Sequence, residues 1–130
     1  MEADLTRDSR RILEALVRLG SSAEGLLFGH TRGPRRIVEH VLAFPPDADP
    51  GAEDLIEIDR IFGGGLIGWF AIGESTRPEQ RALQPYMTGK LFLRIRPGGD
   101  RGPVVEPFVV EFRQGFVLAP IEMHSSENTG

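Results

Sequence analysis

The apolar run LIGWFAI (66–72) breaks at once into Gly73, Glu74, Ser75 and Thr76. A carboxylate beside two hydroxyls at a strand end is where loop chemistry is commonly placed. A hydroxyl nucleophile needs a base within hydrogen-bond reach, and no histidine or lysine lies near Ser75 or Thr76 in the sequence. Thr76 has another use. With Glu79 three positions later it forms a capping box, which predicts a short helix from near Arg77 to near Pro85, with Pro78 in its first turn.

The other chemical groups are sparse. There is no cysteine, which removes disulfides, thiolate metal sites and a thiol nucleophile. Of the three histidines, His30 and His40 fall on two runs that read as a hairpin. Pairing His30 near Arg35 and His40 near Gly25 sets them about 15 Å apart at roughly 3.3 Å per strand residue, too far to share an ion. His124 falls in IEMHSSENTG (121–130), which reads as a frayed, solvated tail. Gly63-Gly64-Gly65 precedes a strand and lacks a following Lys-Ser/Thr, so it reads as a turn and not as a phosphate cradle.

The elements that must position these groups fit one domain over residues 1–120, followed by a flexible tail over 121–130. Leu5, Ile12, Leu16 and Leu19 form a stripe, with Leu13 beside it and Gly20 as a stop, which predicts an amphipathic helix over 4–19. GLLFG (25–29) and RRIVEHVLAF (35–44) predict a hairpin turning at Gly33-Pro34. PPDADPGAED (45–54) is a loop, and Leu55, Ile58 and Phe62 have helical spacing. LIGWFAI is a central strand. From Lys90 the alternation is strict, with Leu91, Leu93 and Ile95 inward and Lys90, Phe92, Arg94 and Arg96 on a wet face. PFVVEF (107–112) and FVLA (116–119) complete a mixed sheet. The fold class is therefore α/β (α+β), a mixed central sheet flanked by an N-terminal helix and short helices.

The 130 residues are 40% hydrophobic and 26% charged, with a net charge of −4, which argues against binding driven by nucleic-acid phosphates or anionic membranes. The charged N-terminus has no signal-like apolar core, and no run is long enough to span a bilayer, so the expected location is the cytoplasm. Lys90 is the only lysine among 15 basic residues, a bias that suggests a GC-rich bacterial genome.

In two places, GLLFG with the strand after it and LIGWFAIGES (66–75), the sequence resembles the JAMM (MPN) metalloprotease domain, which has a cytidine deaminase-like fold. The element order is similar over nearly the whole chain, and Gly68-Trp69-Phe70 matches the family's central segment. In that family, zinc is held by two histidines after this segment and by an aspartate after ten further residues. A glutamate three positions before the glycine of the first strand is the general base. The resemblance puts Ala71 and Gly73 at the histidines, Gln84 at the aspartate and Ser22 at the glutamate. A methyl group and a hydrogen donate nothing to zinc, and a hydroxyl cannot serve as the carboxylate base. The expectation is no metal, no cofactor and no catalytic residue.

Glu24 shares a strand face with position 22, and Glu74 stands at the motif's proline. Together they offer an alternative, a rebuilt hydrolase site for a hard ion, although two carboxylates are few for magnesium or calcium. By itself Glu24 reads as a solvated acid at a strand start. A cleft around Glu24, Trp69, Glu74 and Ser75 offers a further alternative, a small-molecule sensor. The leading expectation is an inactive JAMM-like module acting through a protein partner or self-association. Its candidate contact residues are Lys90, Phe92, Arg94 and Arg96 on the wet strand, and Arg32, Arg35 and Arg36 at the hairpin tip.

Overall fold

The computed structural model describes residues 1–20, 22–45, 48–73 and 77–124. Its elements are β1 (Glu2–Leu5), α1 (Arg7–Arg18), β2 (Ala23–Arg32), β3 (Arg35–Ala43), α2 (Ala52–Ile61), β4 (Leu66–Ile72), α3 (Arg77–Ala82), β5 (Leu91–Arg96), β6 (Val104–Phe112), β7 (Phe116–Pro120) and β8 (Glu122–Met123). The strands form one mixed sheet in the order β7-β6-β5-β4-β2-β3-β1-β8. β1 runs parallel to β3 and β8, and β4 runs parallel to β5; the other pairs are antiparallel.

The sheet curls until it nearly closes. β7 pairs with β6, and the Ile121 amide continues that ladder to the Pro107 carbonyl at 3.1 Å. The next residues, Glu122 and Met123, pair with β1. A single run of chain thus bridges the two ends of the sheet, making an α+β near-barrel with few helices.

Two cores follow from this curvature. Leu13, Leu16 and Val17 of α1 pack on the inner face against Leu27, Phe70, Leu93 and Ile95. Leu55 of α2, Ala82 of α3 and Met87 cover the outer face around Leu26, Trp69, Ala71 and Phe92. β4 is buried along all seven residues because it is covered on both sides. Burying large side chains such as Trp69, Phe70 and Phe92 completely stabilises the fold by about 1.5–3 kcal/mol each. Gly68 lets β4 approach β5 closely, since a Cβ there would lie 2.8 Å from the Leu91 carbonyl oxygen.

The hairpin, α2, β4, α3 and the last three long strands match the sequence expectations, while the N-terminal reading needs correction. Residues 2–5 are a strand, with Ala3 and Leu5 inward and Glu2 and Asp4 outward. α1 begins only after Thr6, whose Oγ1 accepts the Ser9 amide at 3.2 Å. Ser9 is buried, and its hydroxyl reaches the Val38 carbonyl at 2.9 Å. The inward stripe is therefore Ser9, Leu13, Leu16 and Val17, and Leu19 is 75% exposed. The anticipated stripe through Leu5, Ile12 and Leu19 was rotated because it counted strand residues as helix.

The C-terminal boundary also moves. The fold does not end at residue 120: β8 belongs to the sheet, and the His124 amide bonds the Ala3 carbonyl at 2.7 Å. The expected tail over 125–130 lies outside the described residues, as do Glu74, Ser75 and the proposed Thr76 cap.

Candidate functional site

The site begins with the register of β2 and β4. Glu24 pairs with Ala71 and Leu26 with Trp69, so Glu24, Leu26, Trp69 and Ala71 share the outer face at one end of the sheet. The Trp69 indole Nε1–H donates to Glu24 Oε2 at 3.2 Å, and the Arg81 guanidinium donates to Glu24 Oε1. The Glu24 and Arg81 side chains are only 18% and 17% exposed. Glu24 is thus a half-covered acid, contrary to the solvated one anticipated from sequence, and it persists there because a cation and an indole replace its water.

Arg81 is held from several sides. It also donates to the Ala48 carbonyl at 3.3 Å, and its Nε lies 3.5 Å from Asp49 Oδ1. Gln84 reaches back through Nε2 to the Arg81 carbonyl at 2.7 Å. Phe44 sets its ring edge-on to Trp69 with centroids 5.6 Å apart. Gly73 closes the end of β4 with φ +119, and a Cβ there would meet Ser22 Oγ at 2.9 Å. Of the positions singled out by the sequence, Ser22 lies against Gly73, Ala71 is opposite Glu24 in the β2–β4 ladder, and Gln84 bonds only the Arg81 backbone carbonyl. A cleft of about 300 Å³ opens beside them, walled by α1, the start of β2, the end of β3 and α3.

The other end of β4 is fixed by a second carboxylate. Asp59 of α2 accepts the Leu66 amide at 2.9 Å through Oδ1 and the Tyr86 hydroxyl at 2.7 Å through Oδ2. Burial, then the hydrogen bond and charge of Asp59, push the Tyr86 phenol up from 10.0 to about 12. Lys90 lies over the same ring at 5.3 Å.

The wet strand anticipated on β5 is mostly internal. Phe92 is fully buried, with its ring 6.5 Å from that of Phe108. Arg94 pairs with Glu79 of α3 and lies 5.5 Å over Phe108, while Arg96 pairs with Glu106 at 2.9 Å. The alternation of residues 90–96 was real, but α3 and the turn at Pro85–Met87 cover its second face. Lys90, Phe92, Arg94 and Arg96 accordingly form no open docking strand.

At the hairpin tip, Arg35 lies 4.0 Å from Glu2 and Arg36 donates to Thr31 Oγ1 at 3.2 Å, with Arg32 and Arg35 paired across the turn and exposed. The histidine separation also changes. A bulge at Phe28/Gly29 puts His40 opposite Phe28 and His30 opposite Ile37. They are therefore two to three residues apart along the ladder, roughly 7–10 Å, and not the larger separation anticipated. His30 Nδ1 contacts Glu39 at 2.5 Å, and His124 is bonded to Glu2 at 3.1 Å, so it is part of the sheet's rim and not a solvated tail residue. Among the described residues, no group of three or more histidines or acids is placed to hold a metal ion.

Sequence reasoning found Glu24 and Trp69 but missed Arg81 and Asp49. A half-buried acid demands a cation, and Arg81 sits on the helix that follows β4; that demand was the only available signal.

The solution structure of protein DSY2949 from Desulfitobacterium hafniense is similar, with a TM-score of 0.61 at 20% identity over 95% of this chain and 94% of that one. This likeness concerns the fold. No protein-family model matches the chain, and no curated protein matches it significantly. No helix among the described residues is long and apolar enough to cross a membrane.

Proposed function

We propose that this chain is a binding domain on a JAMM-like scaffold, with a structural ion pair at the end of β4 where the family holds its hydrolytic centre. The observation that carries this reading is the engagement of Glu24. Its two oxygens accept from the Arg81 guanidinium and the Trp69 indole, so this acid is held as a structural acceptor. A general base must be aimed at a water and a metal ligand at an ion shared with further ligands, whereas Glu24 is aimed at a guanidinium and an indole. Ala71 and Gly73 supply neither base nor ligand.

The surface that suits association is the free edge of the sheet. β7 is a terminal strand, and beside it Phe112 is 64% exposed, stacked edge-on to Phe116 at 5.1 Å. Val117 is also exposed. A strand whose outer edge meets no other strand among the described residues, with an apolar flank, is a template for another strand, and two copies related by a two-fold axis can pair β7 with β7 antiparallel.

Light scattering across a concentration series tests the reading, together with zinc titration and peptide or isopeptide hydrolysis assays. The expected result is a monomer–dimer equilibrium shifted to monomer by Val117→Lys, with substoichiometric zinc and no turnover. One tightly bound zinc per chain, or turnover abolished by Glu24→Gln, overturns it. A monomer at every concentration removes the self-association through β7.

A further inference from the structure

A second cavity, on the α1 side of the sheet, shares no residue with the β7 edge or with the site at Glu24. It holds about 250 Å³ and lies between α1, the end of β1 and the start of β6. Its floor is apolar. Leu5 and Leu13 are buried in the inner core, Val105 packs against that core, and Pro103 stands beside it. Gly102 and two charged residues, Arg10 and Glu14, complete the lining. Apolar walls with a few polar groups are the usual composition of a small-molecule site.

The two charges select the ligand. Arg10 and Glu14 stand one turn apart on α1, so their side chains leave the same helix face about 5–6 Å apart. They do not pair with each other, and among the described residues neither forms an ion pair with any other group. The sequence order explains this in part, since an acid C-terminal to its cation makes the weaker helical pair. By contrast, Arg81, Arg94 and Arg96 each meet a carboxylate of this chain. One cation and one anion leave the lining neutral, so neither a simple anion nor a simple cation satisfies it. A ligand that does must carry both charges, close together and next to an apolar group.

We propose that this cavity binds a free α-amino acid with an aliphatic side chain, its carboxylate on Arg10, its ammonium on Glu14 and its side chain on Leu5, Leu13 and Val105. The guanidinium fork matches the two oxygens of a carboxylate, and a carboxylate takes the donors of an ammonium. The volume limits the side chain. A cavity of about 250 Å³ holds about eight water-sized groups at roughly 30 Å³ each, so valine or leucine fills it and tryptophan exceeds it. The site rests neither on the JAMM-like reading nor on association through β7, and it stands or falls separately from both.

L-Leucine titrated into the full chain, followed by the backbone amide resonances of α1 and Val105, is expected to give a saturable shift. Isocaproate lacks the ammonium and isoamylamine lacks the carboxylate, and each is expected to bind about ten-fold more weakly. Two variants assign the ends. Arg10→Gln is expected to weaken leucine by about ten-fold and to leave isoamylamine unchanged, while Glu14→Gln weakens leucine likewise and leaves isocaproate unchanged. Arg10 is exposed and Glu14 half-buried, so both variants keep the native spectrum. A shift that rises linearly without saturation, or an analogue that binds as well as leucine, overturns the site. Unchanged leucine binding in either variant overturns the assignment of its charged ends to Arg10 and Glu14.

Discussion

The two ends of β4 are each fastened by one carboxylate, yet the fastenings differ in kind. Asp59, at the entry, accepts only from neutral donors, the Leu66 amide and the Tyr86 hydroxyl. Glu24, at the exit, is met by the Arg81 guanidinium and the Trp69 indole. A neutral fastening orients the chain where α2 and the glycine turn deliver it to the sheet, and it leaves no cation behind. A charged fastening in a half-covered place holds a guanidinium at the edge of a cleft. The entry is thus a neutral joint, and the exit is a charged one beside a cleft.

Substitutions at the two ends should separate these roles. Glu24→Ala strands both the indole N–H and a half-buried guanidinium, so the largest loss is expected there, about 2–3 kcal/mol in denaturant unfolding. Glu24→Gln should recover part of it, because an amide oxygen still accepts from Trp69. Asp59→Ala orphans the Leu66 amide and the Tyr86 hydroxyl, but the hydroxyl can turn to water. The expected loss is smaller, about 1–2 kcal/mol, with the indole resonance at the far end unmoved. An equal effect of both substitutions on that resonance would break the distinction between the two ends.

A last effect, confined to alkaline solution, is one of pH. Tyr86 titrates at about 12 in the fold and at the ordinary 10.0 when unfolded. Below pH 10 both states keep the phenolic proton, and the stabilisation is fully present. Between pH 10 and pH 12 the unfolded chain releases the proton and the folded chain does not, so stability falls as pH rises. Unfolding measured across that interval should show a steeper decline for the parent chain than for Tyr86→Phe. Parallel declines would mean that burial and Asp59 together do not hold the phenolic proton in the fold.

Much of the scaffold was legible because its signals were local. LIGWFAI is apolar at every position, as a strand covered on both faces must be, and Gly33-Pro34 marks the hairpin turn. The errors came where neighbours in space decide the outcome. β1 is four residues long, too short for its alternation to stand out beside a helix-like stripe. β8 is two residues long and is a strand only because β1 lies next to it. Phe92 alternates with Leu91 and Leu93 as a surface residue would, and only the covering by α3 and Pro85–Met87 makes it core. At the candidate site, Glu24 and Trp69 could be read from the strand motif. The approach of Arg81 could not, because it depends on how α3 folds back over β4.

The bridge from β7 to β8 has a consequence for the order of assembly. β1 sits between β3 and β8, so it is flanked on one side by a strand far from it in the sequence. The hairpin of β2 and β3 and the β5–β7 meander join segments close in sequence and can form early. The β1–β8 pairing joins segments far apart in sequence, and such distant pairing is slow to nucleate. Of the two ladders on β1, the one to β3 is therefore expected to form first and the one to β8 last.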